Sequence, residues 1–256
     1  MQKEPAVPAH DLRLLIMCGR YSQTRSLAEI VQRFSVKPPP FNSKLSYNIF
    51  PGALRPVVCA DGLKLLKWGF LPGWVAGGGA HISLPSGGNS MERKFSTETS
   101  VPEADAQARE GFINARAEGI ASRPAFRTAL YRNRCLVPAD GFYEWQHSAG
   151  AKTPYRFEMR DKSLFAMAGV YEEKNGTYAI ITAVANALVR SVHHRMPVIL
   201  ERRHEALWLD PKMKDSEVLL PLLRCCDSAL IHGYRVSDLI NDPVNDSAAC
   251  LEPLPQ

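Results

Sequence analysis

The six cysteines of this chain lack any pattern that would make them a scaffold. Cys18, Cys59, Cys135, Cys225, Cys226 and Cys250 form no Cys-x-x-Cys pair and have no histidine partner at zinc-finger distance, so no metal site is expected. They do not resemble the disulfide framework of a small secreted domain either, and reduced thiols in a cytoplasmic setting are the simpler expectation. Long hydrophobic runs are missing as well. Leu12, Leu14, Leu15 and Ile16 make a short cluster after Pro5, Pro8, His10 and Asp11, too brief for a secretory signal, and no later run reaches membrane-spanning length. There is no internal repeat and no composition break after Gly111 that would mark a second domain. Acids are scarce in one place: Arg116, Arg123, Arg127, Arg132 and Arg134 lie in a stretch whose one acid is Glu118.

What is present is ordinary for a globular chain of 256 residues, with 45% hydrophobic and 22% charged residues. A formal charge of +5 permits an anionic partner without demonstrating one. Residues 1–11 read as a disordered leader. Ser26-Leu27-Ala28-Glu29 has capping-box spacing, and Leu27, Ile30, Val31 and Phe34 mark one face of a short helix that Pro38-Pro39-Pro40 ends. Leu54 to Cys59 and Leu63 to Trp68 read as a hairpin turning at Asp61-Gly62. Residues 76–110, rich in Gly, Ser, Thr and Glu, read as a long polar loop. A helix with Pro124 in its first turn follows. Strands are expected at Cys135 to Val137, Tyr155 to Met159, Leu164 to Tyr171, Tyr178 to Ala185, Met196 to Leu200 and Ile231 to Val236, with helices at Arg203 to Leu209 and Ser216 to Leu223. Strands that mostly adjoin strands define an α+β domain on curved, largely antiparallel, barrel-like sheet with peripheral helices.

Four polar residues sit where burial needs a reason. Cys18 follows Met17; if Met17 is an initiator that is removed, Cys18 carries a free α-amine beside its thiol. Such a 1,2-aminothiol condenses with an aldehyde to an imine, which the thiol closes to a thiazolidine. Asn114 lies between Ile113 and Ala115, Glu144 is flanked by aromatics in Gly141-Phe142-Tyr143-Glu144-Trp145, and His193 precedes the apolar stretch at Met196. Each alone has a structural explanation: a buried thiol, a turn, an ion pair, a core histidine. Together they make an acid–base set, in which the aromatic setting raises the pKa of Glu144. Arg20, Arg190 and Arg195 with the arginine-rich stretch could build a phosphate-binding face, and Trp68, Phe70, Trp74 and Trp145 could stack on bases. Equally, the arginines could line a solvated helix face and the tryptophans fill core.

The motifs in order are Met17-Cys18-Gly19-Arg20-Tyr21, Tyr47-Asn48, Trp68-Gly69-Phe70-Leu71-Pro72, Asn114-Ala115-Arg116-Ala117-Glu118, the run from Arg134 to Trp145, and His193-His194-Arg195-Met196-Pro197-Val198-Ile199-Leu200. They resemble the SRAP family, whose name stands for SOS response-associated peptidase, from Met17 to about Leu254. The resemblance implies a domain over 17–254 that recognises abasic sites in single-stranded DNA and cross-links to them through a thiazolidine at the cysteine. It implies Cys18 as nucleophile, Asn114 as the residue that orients the adduct, Glu144 as general acid and base, and His193 as proton shuttle. Arg20, Asn48, Trp68, Arg116, Arg127 and Arg195 would contact the DNA. No cofactor is implied, and a monomer, cytoplasmic and associated with the nucleoid when on DNA, is expected.

Two departures matter. Residues 1–16 block the α-amine if they are retained, so a start at Met17, or removal of the leader, is expected. The loop at 76–110 is longer than the family pattern. Two other functions stay open: a cysteine peptidase, including one that exposes its own Cys18, and a binder of single-stranded or modified DNA that makes no bond.

Overall fold

The computed structural model describes residues 18–75, 111–148 and 150–254. The expectations for the leader, for Met17 and for the loop at 76–110 fall outside the described residues.

In chain order the elements are β1 (Arg20–Gln23), α1 (Leu27–Phe34), β2 (Ser46–Ile49), β3 (Leu54–Cys59), β4 (Gly62–Trp68), β5 (Asn114–Arg116), α2 (Pro124–Arg132), β6 (Arg134–Ala139), β7 (Gly141–Ser148), β8 (Ala151–Met159), β9 (Phe165–Glu172), β10 (Thr177–Val184), α3 (Ala187–Arg190), β11 (Arg195–Pro197), β12 (Ile199–Leu200), α4 (Arg202–Leu209), α5 (Ser216–Leu219) and β13 (Ile231–Arg235). The fold is α+β, mostly sheet with few helices. One sheet runs β13-β8-β7-β1-β2, antiparallel throughout. In the other, β10 pairs with both β9 and β4, so the path β10-β4-β3-β6-β9 returns on itself. The closure is ring-like without being a true barrel, because β10 meets β4 at only two residue pairs, Thr177 with Lys67 and Tyr178 with Trp68.

Local chemistry explains several elements directly. Ser26 caps α1 by accepting from the Glu29 N–H at 3.2 Å, while the Glu29 carboxylate accepts from the Ser26 N–H at 2.8 Å; together they satisfy two otherwise orphaned donors. The β3–β4 turn falls one residue earlier than expected. Cys59 pairs with Gly62, leaving Ala60 and Asp61 in the loop, and Gly62 enters the strand at φ +126°, where a side chain would be strained. Pro221 shortens the expected 216–223 helix: α5 ends at Leu219, and a tighter turn carries Leu220 to Leu222. The stretch from Met196 to Leu200 splits into β11 and β12, which pair with different strands.

Alternate residues of the ring-like sheet enter two cores. Val57, Val137, Met167 and Ile180 meet Tyr21, Phe142, Phe157 and Ile231 of the other sheet. Val58, Leu136, Ala168 and Ile181 face Phe126 and Leu130 of α2, Trp208 of α4 and Leu219 of α5. Burial on both faces is why these strands read as unbroken apolar runs. Among the described residues, no helix is long and apolar enough to cross a membrane.

Candidate functional site: a buried thiol against a buried carboxyl

Strand β1 delivers the cysteine. It pairs with β7 through Arg20–Tyr143, Tyr21–Phe142 and Ser22–Gly141, and extending that register one step sets Gly19 opposite Glu144. Cys18 lies just beyond, 4% exposed, with φ +44°. A left-handed backbone at a residue with a side chain costs about 1–3 kcal/mol and persists only where its surroundings hold it.

Strand β7 delivers the carboxyl. Side chains alternate along a strand, so Tyr143 and Trp145 pack against Val236, Ile240 and Cys250, while Phe142 and Glu144 point the other way. Glu144 is 2% exposed, and its Oε1 is buried with no hydrogen-bond partner. Burial pushes its carboxyl up to about 8, against hydrogen bonds from Cys18 and the charge of Lys152, which pull it down. The Cys18 thiol is pushed well above its ordinary value, by burial first and then by the facing Glu144. At neutral pH the pair therefore holds its protons.

Two further side chains complete the cluster. Asn114 opens β5, held parallel to β10 by its pairing with Ile180, and its Nδ2 donates to the Cys18 carbonyl at 3.5 Å. His193 follows α3, which Asn186 caps by accepting from the Val189 N–H at 3.0 Å. The His193 N–H bonds the Val189 carbonyl at 2.8 Å. Its Nδ1 lies 3.5 Å from Glu144 Oε2, between the backbone N–H and carbonyl of Arg195 at 3.3 and 3.2 Å. Burial lowers the imidazole's pKa. The structure thus brings Cys18, Asn114, Glu144 and His193 into one cluster, with Cys18 and Glu144 buried and Asn114 and His193 half-buried at its edge.

The six residues expected to contact DNA are not brought together in that way. Trp68 is 1% exposed, edge-on to Tyr21 and stacked with Tyr178; its Nε1 donates to the Ile113 carbonyl at 2.8 Å. That bond ties it to the residue before Asn114. Asn48 is buried and spends its amide on the carbonyls of Ile240, Asp242 and Asn245, while Arg20 bonds Asn48 Oδ1 at 2.6 Å and the Ile240 carbonyl at 2.7 Å. Both tie the 238–245 segment to β2. Arg195 is 6% exposed and holds Glu118 through a two-pronged bond at 2.6 and 2.9 Å. Arg134 is likewise internal, donating to the carbonyls of Leu130, Trp208, Asp210 and Met213. Arg116 and Arg127 are exposed. Arg116 lines a cleft of about 480 Å³ with Val184, Arg190, His194 and Arg195; Arg127 stands on α2, which packs into the other core.

His194 and Lys152 also lie at this site, and nothing in the sequence pointed to Lys152. The His194 ring lies 4.4 Å from that of His193, and the Lys152 ammonium lies 4.8 Å from the Trp145 ring, within electrostatic reach of Glu144. A strand-pairing map would have found Lys152, which sits across from His147 on β8. Among the described residues, no cluster of three or more His, Cys, Asp or Glu is arranged to hold a metal ion.

The α+β fold thus seats a cysteine against a carboxyl whose pKa is raised by burial, with an amide and an imidazole at its edges. The chain belongs to the SOS response associated peptidase (SRAP) family, whose family model matches residues 17–243. It is 33% identical over 250 residues to the abasic site processing protein YoaM of Bacillus subtilis, across 92% of this chain and 98% of that protein. It is also 34% identical over 170 residues to the abasic site processing protein HMCES of Gallus gallus, across 55% of this chain and 50% of the chicken protein. A crystal structure of a protein from Bacteroides thetaiotaomicron shares the fold at TM-score 0.72 and 24% identity, covering 93% of this chain and 100% of its own.

Proposed function

We propose that this protein recognises abasic sites in single-stranded DNA and bonds to them covalently through Cys18. The observation that carries the reading is the buried Cys18–Glu144 pair, with a carboxyl held near 8 against the one thiol that adjoins the start of β1. The names of the Bacillus and Gallus relatives supply the lesion class.

The chemistry follows from the groups present. The α-amine of Cys18, once free, adds to the C1′ aldehyde of the ring-opened sugar. The protonated Glu144 gives its proton to the hydroxyl of the carbinolamine, which leaves as water, and an iminium remains. The thiol sulfur then attacks the same carbon, its proton passes to the Glu144 carboxylate, and the C=N electron pair returns to nitrogen. The product is a thiazolidine, and Glu144 is restored. Asn114 holds the Cys18 carbonyl, so the amine and thiol keep their orientation through both steps. His193 relays protons between Glu144 and the solvent side. A general acid–base group of this kind is worth about 10²–10⁴ in rate.

A peptidase acting through the Cys18 thiol draws less support. Such an enzyme needs a thiolate, and burial here holds the thiol protonated. The test is direct. Protein whose amino terminus is Cys18, verified by intact mass, is mixed with an oligonucleotide carrying one abasic site and run on a denaturing gel. A shifted band with wild type and none with Cys18→Ala is expected. No shifted band from the verified wild type would overturn the proposal, and equal binding by Cys18→Ala without any adduct would identify a non-covalent binder.

A further inference from the structure

The Asn114–Glu118 stretch touches the site at both ends. Asn114 holds the carbonyl of Cys18, and Glu118 reaches across to Arg195, whose backbone N–H and carbonyl bracket the Nδ1 of His193. The guanidinium of Arg195 is engaged from two sides. Its Nη1 and Nη2 donate to the Glu118 carboxylate at 2.6 and 2.9 Å, and Nη2 also donates to the Thr182 carbonyl on β10 at 2.6 Å. Its Nε is buried without a partner. A buried guanidinium missing one hydrogen bond depends the more on the counter-ion that neutralises it. That counter-ion is 52% exposed and can be altered without opening the core.

From this geometry we propose that Glu118 is a positioning residue for the proton relay: it draws the Arg195 side chain inward, and the Arg195 backbone thereby fixes the His193 ring against Glu144. The proposal rests on the cross-linking reading above. The groups facing His193 are Glu144 and His147 from β7, and His194 and Arg195 from its own segment. Arg195 reaches His193 in two opposed ways, since its backbone bond favours the imidazolium and its charge disfavours it. Removing the Glu118 charge weakens the first and unscreens the second, so both changes act in one direction.

The experiment compares wild type with Glu118→Gln and Glu118→Ala, all confirmed folded by circular dichroism. His193 is followed in the full chain by NMR pH titration, its resonances assigned with His193→Gln. Its midpoint is expected to fall by roughly half a unit or more in Glu118→Gln and further in Glu118→Ala. The maximal cross-linking rate on saturating abasic oligonucleotide, for proteins with a verified Cys18 amino terminus, is expected to drop about tenfold. Affinity for the same oligonucleotide in Cys18→Ala backgrounds is expected to hold or tighten. An unchanged His193 midpoint overturns the proposal, as does a loss of affinity with an unchanged maximal rate. If wild type forms no adduct, the cross-linking reading fails, and the titration alone decides the role of Glu118.

Discussion

Asp140 and Glu144 lie four residues apart, one just before β7 and one within it, and both are buried. Their surroundings differ completely. Asp140 accepts from Ser22 Oγ at 2.5 Å, from Thr24 Oγ1 at 2.8 Å and from the Thr24 N–H, and it pairs with Arg156 at 3.2 Å. Arg156 also pairs with Glu158, which in turn meets Lys162 and His232. Gly141 lets this network close, since a Cβ there would lie 1.7 Å from Arg156 Nη1. Glu144 has a thiol, an imidazole and one oxygen without a partner. A buried acid given a full set of donors is part of the frame, whereas one left short of them holds a proton it can lend.

That contrast can be broken by exchanging each acid for its amide. Asp140→Asn leaves the buried Arg156 with Glu158 as its remaining acid and removes the acceptor of Ser22 and Thr24, so a loss of about 3 kcal/mol is expected in denaturant unfolding, with the cross-linking rate per folded molecule unchanged. Glu144→Gln should do the reverse, lowering the rate about 100-fold while leaving the fold intact. Equal loss of stability in both variants would erase the distinction.

The pH dependence of stability sharpens it. The folded chain holds the Glu144 proton up to about 8, against an ordinary 4.5. A raised carboxyl value means that the folded state binds the proton more tightly. Its stabilising contribution is complete below 4.5, declines as the pH rises and is gone above about 8. Across that window wild type should lose up to about 1.4 kcal/mol per pH unit relative to Glu144→Gln. Parallel stability curves for the two proteins would contradict the assignment. The smallest effect belongs to the rim: Arg116→Ala should lower affinity for single-stranded DNA and reduce the slope of log affinity against log salt by about 0.7. An unchanged slope would remove Arg116 from the phosphate path.

Much of the frame was legible in the sequence, because caps, turns and apolar runs are local. The Ser26–Glu29 box, the β3–β4 hairpin and the proline opening of α2 all appear near their expected places. Strand β7 did not announce itself: Gly141 to Trp145 are all buried, so no polar alternation marks them. The candidate site was legible as a list of residues but not as an assembly. Cys18, Asn114, Glu144 and His193 are distant along the chain, and residue types with ordered motifs suggested the set without showing that it converges; the β1–β7 register that sets Cys18 near Glu144 has no local signature. The DNA contacts were the least legible part. A tryptophan that fills a core and one that stacks on a base are the same letter, and so is an arginine that faces a phosphate or an internal glutamate; here Trp68 lies in the core and Arg195 bonds Glu118.

The central claim is that Cys18 itself closes the ring on the lesion. Protein beginning at Cys18 is reacted with an abasic oligonucleotide without any reducing agent, then digested with nuclease and trypsin and examined by tandem mass spectrometry. The account predicts that the peptide Cys18-Gly19-Arg20 carries the sugar remnant on both its amine and its sulfur, at the summed mass less one water. A remnant on any other residue, or an adduct that survives only after borohydride reduction, would contradict it.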